Sequence, residues 1–86
     1  MDRENIISLI EEILSNELEL GIKDLEPQKT LLELGIDSIS LMTLIVYIEE
    51  KLSIEIDLAG DLSAEYSKIT MDALVKCISE KLEKAK

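Results

Sequence analysis

The sequence predicts an all-α fold: a small bundle of three main helices, a short fourth helix, and one long ordered loop before the second main helix. Three observations lead there. Apolar residues recur at helical spacing over residues 3–18, 38–52 and 71–82. Strand-like alternation occurs only at 53–57, and a lone strand would have no partner. Finally, 86 residues give room for one domain, spanning 1–86, with a modest core. With no Phe and no Trp, that core must be built from Ile, Leu, Val and Met.

The first helix is expected over 3–18. Ile6, Ile10, Ile13 and Leu14 share one stripe, Ile7 and Leu18 lie at its margins, and Glu11, Glu12 and Glu17 lie off it. Gly21 is the expected stop. Residues 21–37 then read as a long loop, punctuated by Pro27 and two glycines. Its leucines, Leu25, Leu31, Leu32 and Leu34, are too apolar for free solvent, so some of them should dock on the core and order the loop.

The second helix, SISLMTLIVYIEEKL at 38–52, has the strongest pattern. Leu41, Leu44, Ile45, Ile48 and Leu52 form its core stripe. Ile39, Met42 and Val46 line a different face, and in so small a domain such a strip suits an interaction site. Gly60 marks a turn, and 62–67 is expected to form the short helix. Thr70 suits an N-cap. Met71, Leu74, Val75, Ile78 and Leu82 then make the stripe of a last helix that ends in lysines, which favour a helix C-terminus.

Composition excludes several classes. The net charge of −10, from 19 acidic and 9 basic residues, offers no basic face for nucleic acid. It suits basic partners or simple solubility. One cysteine, Cys77, makes neither an internal disulfide nor a cysteine-rich metal site, and reads as core filler. No basic stretch precedes an apolar run at the start, and no segment reaches the ~18 apolar residues of a membrane span, so a cytoplasmic protein is expected.

Catalytic chemistry is scarcely represented. There is no histidine to act as general base or metal ligand. Neither GxxxxGK[ST] nor GxGxxG occurs, and 57–65 lacks the spacing of a calcium loop. Ser38 is the residue that stands out. No His or Lys adjoins it in sequence, so it is a poor self-activated nucleophile. Its position at a helix start, after Asp37, is that of an ordinary cap region. The same position, beside free N–H groups and the positive dipole end, also favours a phosphate attached there by another enzyme.

L-G-I-D-S-I at 34–39, an amphipathic helix ending in IEEKL, and S-I-E-I at 53–56 together resemble the carrier-protein family of acyl, peptidyl and D-alanyl carriers. The resemblance covers nearly the whole chain. It implies a small four-helix bundle of the acyl-carrier type without catalysis of its own. It implies that Ser38 receives 4′-phosphopantetheine from coenzyme A through a phosphopantetheinyl transferase, and that the arm's thiol carries acyl or aminoacyl groups as thioesters. Asp37 matches the acidic neighbour that caps the helix and aids the transferase. Ile39 matches the apolar residue that partner enzymes grip. With Ile39, the partner surface is expected to include Met42 and Val46, rimmed by Glu49 and Glu50. The expected partners are the transferase, an acyl- or aminoacyl-activating enzyme, and downstream condensing or transfer enzymes; the protein is expected to be a monomer.

Two features depart from housekeeping fatty-acid carriers. Ser40 and Thr43 stand where those usually place acid, and 56–69 is longer than in short carriers. Both favour a specialised free-standing carrier in a polyketide-like or nonribosomal-peptide-like pathway. A fatty-acid carrier and a D-alanyl carrier are the alternatives within the family. Outside it, the alternative is a helical interaction module whose D-S is only a cap.

Overall fold

The first helix begins where a side chain can replace a missing backbone partner. Asp2, in extended backbone conformation, accepts the Asn5 N–H at 2.9 Å, and α1 runs Arg3–Asn16 in the computed structural model, which describes residues 2–21, 25–57 and 66–84. Ile6, Ile10, Ile13 and Leu14 are fully buried, as the stripe predicts. The stop lies earlier than expected. The helix ends at Asn16 rather than near Gly21, because the N–H groups of Leu18 and Leu20 turn back to the carbonyls of Ile13 and Leu14, at 3.2 and 2.8 Å. Leu18 and Leu20 thereby pack against the core. The residue that adopts the left-handed conformation is Glu19, with φ 54°, and not the glycine.

α2 spans Ser38–Leu52 and α3 spans Met71–Lys84. α1 lies against both of them. Leu41, Leu44, Ile45 and Ile48 of α2 and Met71, Leu74, Val75, Cys77 and Ile78 of α3 complete the core with the α1 stripe. Leu52 and Leu82, at the ends of their stripes, are half-buried. Thr70 caps α3, its hydroxyl accepting the Ala73 N–H at 3.1 Å, and Lys81 and Lys84 lie in the last turn.

The long loop is ordered by backbone pairing as well as by leucines. Thr30 and Thr70 form an antiparallel bridge. The Leu31 N–H donates to the Ile69 carbonyl, and the Met71 and Asp72 N–H groups donate to the carbonyls of Lys29 and Pro27, all at 2.8–2.9 Å. The loop thus satisfies N–H groups at the start of α3 that no intrahelical carbonyl can reach. Leu25 and Leu31 are buried, Leu34 is half-buried and Leu32 is exposed. Arg3 pairs with Asp72, joining the first turns of α1 and α3.

After α2, Ser53 takes the left-handed conformation, φ 54° and ψ 46°, and an extended stretch follows. Ile54 and Ile56 point into the core while Glu55 and Asp57 are exposed, which is the alternation seen in the sequence without any strand pairing among the described residues. Most of the short helix expected at 62–67, and the Gly60 turn, lie outside the described residues. Tyr66–Lys68 form a 3₁₀ turn that leads to the Thr70 cap.

Candidate functional site

The site is built by residues 30–37, which precede α2. Thr30 and Glu33 close a capping box: the Thr30 N–H and hydroxyl both donate to Glu33 Oε1 at 3.0 Å, and the Glu33 N–H donates to Thr30 Oγ1 at 3.1 Å. One helical turn follows, and it ends in a Schellman closure. The Gly35 N–H donates to the Leu32 carbonyl at 3.0 Å and the Ile36 N–H to the Leu31 carbonyl at 2.9 Å. Gly35 holds φ +90°, a conformation that costs a residue with Cβ dearly. Leu31 and Ile36, the two ends of this closure, are both fully buried.

The closure fixes where the chain emerges. With Ile36 anchored in the core, Asp37 and Ser38 are set on the surface. Asp37 is extended, φ −81° and ψ 179°, and its Oδ1 accepts the Ser40 N–H at 2.7 Å. Its carbonyl accepts the Leu41 N–H at 2.8 Å. Ser38 is therefore the first residue of α2, exposed, at the positive end of the helix dipole, with no carboxylate in the first turn. The Ser40 N–H, then the Ser40 hydroxyl and more weakly the Ile39 N–H hold the Asp37 carboxyl below the usual aspartate range, against a small opposing effect of desolvation. Glu33 is likewise held low by the Thr30 N–H and hydroxyl.

Beyond Ser38, α2 divides its apolar residues between two sides. Ile39, Met42 and Val46 are 75%, 61% and 51% exposed, while the core stripe is buried. Ser40 and Thr43 are half-buried, and Thr43 Oγ1 donates to the Ile39 carbonyl at 3.1 Å. Tyr47 is half-buried; the charge of Glu17, burial, and a hydrogen bond with Glu17 all push its phenol up, with a further contribution from Glu50. Glu49 and Glu50 differ. Glu50 is exposed, whereas the half-buried Glu49 uses its carboxylate to accept the Ile56 N–H at 3.0 Å.

Sequence reasoning treated 21–37 as loop and passed over the turn at 30–36 and the burial of Ile36. The signal was present: Thr30-x-x-Glu33 is a capping-box pattern, and Gly35 follows it at C-cap distance. No group of His, Cys, Asp or Glu among the described residues could hold a metal ion, and no described helix is long and apolar enough to cross a membrane.

The comparisons agree with this geometry. A family model described as "Phosphopantetheine attachment site" matches residues 8–78. A crystal structure of an acyl carrier protein from Thermotoga maritima superposes with a TM-score of 0.84 and 28% sequence identity, covering 100% of this chain and 96% of that one. No curated protein sequence matches the chain.

Proposed function

The chain belongs to the family defined by the phosphopantetheine attachment site, and from that premise we propose that Ser38 is the residue to which 4′-phosphopantetheine is attached. The protein is a carrier without catalysis of its own, and 4′-phosphopantetheine is its prosthetic group. A phosphopantetheinyl transferase and acyl-handling enzymes are its partner classes. The arm supplies a terminal thiol that holds an acyl or aminoacyl group as a thioester.

The observation that carries the assignment to Ser38 is its placement. It is an exposed hydroxyl in the first turn of α2, directly after the capping Asp37. The site fits the group. The dipole end of α2 favours a phosphodiester, and the one adjoining carboxylate, that of Asp37, is turned to the Ser40 N–H. Asp37 is kept charged and fixed by Ser40, so a transferase meets one rigid carboxylate beside the hydroxyl. Gly35 and the buried Ile36 keep both residues at the surface.

The 1–86 span reads as one carrier domain, and a cytoplasmic setting suits it because the arm comes from coenzyme A. Ile39, Met42 and Val46 form the docking strip in this reading, with Glu49 and Glu50 at its rim. The neutral Ser40 and Thr43 favour a specialised polyketide-type or nonribosomal-peptide-type pathway. A fatty-acyl cargo is the second reading; the likeness to a Thermotoga maritima protein described as an acyl carrier protein favours an acyl load without naming a pathway.

The test is intact mass after incubation with coenzyme A and a broad-specificity transferase. Wild type should gain a single phosphopantetheine group, and Ser38→Ala none. Modification of Ser38→Ala to the wild-type extent overturns the assignment. Presenting the modified protein to acyl-activating and aminoacyl-activating enzymes then separates the pathways by the mass that is added.

A further inference from the structure

Thr30 belongs to two connections at once. Its backbone pairs with Thr70, the residue that caps α3, in the antiparallel bridge. Two bonds flank that bridge: the Leu31 N–H donates to the Ile69 carbonyl at 2.8 Å, and the Met71 N–H to the Lys29 carbonyl at 2.9 Å. On its other side Thr30 meets Glu33, through the two bonds that Oε1 accepts and the one that Thr30 Oγ1 accepts. Glu33 is exposed, yet this oxygen is turned back onto its own chain. A capping box on a long helix adds to a structure that already propagates. Here it closes a single turn, which has no length of its own to hold it.

From that turn the path to Ser38 has few free torsions. The Ile36 N–H is tied to the Leu31 carbonyl, and both residues are fully buried. Gly35 is fixed at φ +90° between them, and Asp37 is held by the Ser40 N–H. Residues 30–38 thus run from the start of α3 to the start of α2 with hydrogen bonds along the way, while both helices pack on α1.

We infer that Thr30 and Glu33 are positioning residues for arm attachment: their box locks the 30–36 turn onto the start of α3 and thereby fixes where the Ser38 hydroxyl stands. The inference rests on the reading of Ser38 as the attachment residue and adds two residues that act through the turn, not on the reacting atoms. In the attachment step the Ser38 oxygen bonds to the coenzyme A phosphorus nearer the pantetheine. Adenosine 3′,5′-bisphosphate leaves with the electrons of the broken P–O bond, and the hydroxyl proton passes to a base of the transferase. Such a displacement needs the attacking oxygen in line with the breaking bond. Without the box the turn keeps its buried ends but loses the bonds that set its pitch, so the oxygen samples other directions. The proposed docking strip on α2 is untouched, so the loss belongs to the rate at saturation and not to binding.

The experiment follows arm attachment by intact mass, in single turnovers with coenzyme A and a broad-specificity transferase. The rate is resolved into its value at saturation and the concentration that half-saturates it. Glu33→Ala and Thr30→Val should each lower the saturated rate about tenfold and move the half-saturation point by no more than about 2-fold. Glu33→Gln and Thr30→Ser, which keep an acceptor and a hydroxyl, should restore the rate to within about 3-fold of wild type. The Thr30→Val/Glu33→Ala double variant should be no slower than the slower single, because both act through one box. Circular dichroism sets a temperature at which every variant is folded. Saturated rates equal to wild type in both Glu33→Ala and Thr30→Val overturn the inference and leave Ser38 in place. So does a loss confined to the half-saturation point, or losses that multiply in the double variant. Amide exchange on wild type gives a second measurement that no variant's misfolding can spoil: the N–H groups of Leu31, Glu33, Ile36 and Met71 should open as one unit. Opening of Glu33 and Ile36 apart from Leu31 and Met71 would show that the turn is not locked to α3, which also overturns the inference. No mass gain on wild type, or full gain on Ser38→Ala, overturns the Ser38 reading and this inference together.

Discussion

Asp37 does two jobs that depend on one charge. It replaces a missing helix carbonyl for the Ser40 N–H, and it stands beside the proposed attachment serine. Hydrogen bonds from Ser40 and Ile39 depress its pKa in the folded state. A depressed carboxyl contributes stability that is present above its unfolded pKa and lost as pH falls through the folded value. The loss should therefore begin below about pH 4, near the unperturbed aspartate pKa. Asp37→Asn keeps an acceptor for the Ser40 N–H but cannot titrate, so its melting temperature should depend less on acid than that of wild type. Asp37→Ala should melt lower than wild type at neutral pH, with the gap closing in acid. Thermal melts from neutral to strongly acid pH check this, and a gap that stays constant would mean that the Asp37 charge contributes nothing. At this scale the sequence was informative: D-S before an apolar helix already suggested cap and site. The carboxylate of Glu49 was not legible, because its partner, the Ile56 N–H, lies beyond a turn whose left-handed residue is a serine.

At the scale of elements, periodicity located α1, α2 and α3 and separated the two apolar sides of α2, because burial on one side of a helix leaves a trace every three to four residues. It did not locate the turn at 30–36. One turn is too short to show a period, and only its capping box and Gly35 mark it. It also misplaced the end of α1, since a left-handed Glu19 carries no sequence signal of the kind that glycine does. Two positive-φ sites, Gly35 and Ser53, give opposed expectations. A Cβ added at Gly35 meets nothing within 4 Å, so the cost of Gly35→Ala is that of backbone strain alone. It should be roughly 1–2 kcal/mol, and it should loosen the turn that sets Ser38 on the surface. Ser53 already bears that strain at φ 54°. Ser53→Gly removes it and adds unfolded-chain entropy, for a net gain of about 0.5 kcal/mol. Denaturant titrations of both variants check the signs. Equal stability of Gly35→Ala and wild type would show that the turn relaxes to another conformation.

For the whole molecule, the argument turns on charge and size. The sequence disclosed both the acidity and the single-domain length, but not how the acids are distributed in space. The folded body measures 32 × 26 × 21 Å. At about 10 mM salt the Debye length is roughly 30 Å, so each carboxylate feels the others across the body; at about 1 M it is roughly 3 Å, and only neighbours interact. The 19 acidic residues outnumber the 9 basic ones, and ion pairs such as Arg3–Asp72 and Glu26–Lys29 are exposed, where such pairs contribute little. Folding therefore gathers like charges that an unfolded chain keeps apart. Added salt should stabilise the fold. If relief of repulsion amounts to about 1 kcal/mol, the melting temperature rises by roughly 4–8 °C in a domain of this size. Melting curves in NaCl and in a neutral sugar at matched water activity separate charge screening from general exclusion effects. A melting temperature that is flat in NaCl would mean that the acidic residues lie too far apart, or too well hydrated, to strain the fold. A rise confined to salt, and absent in sugar, would show that repulsion among the acidic residues strains the fold.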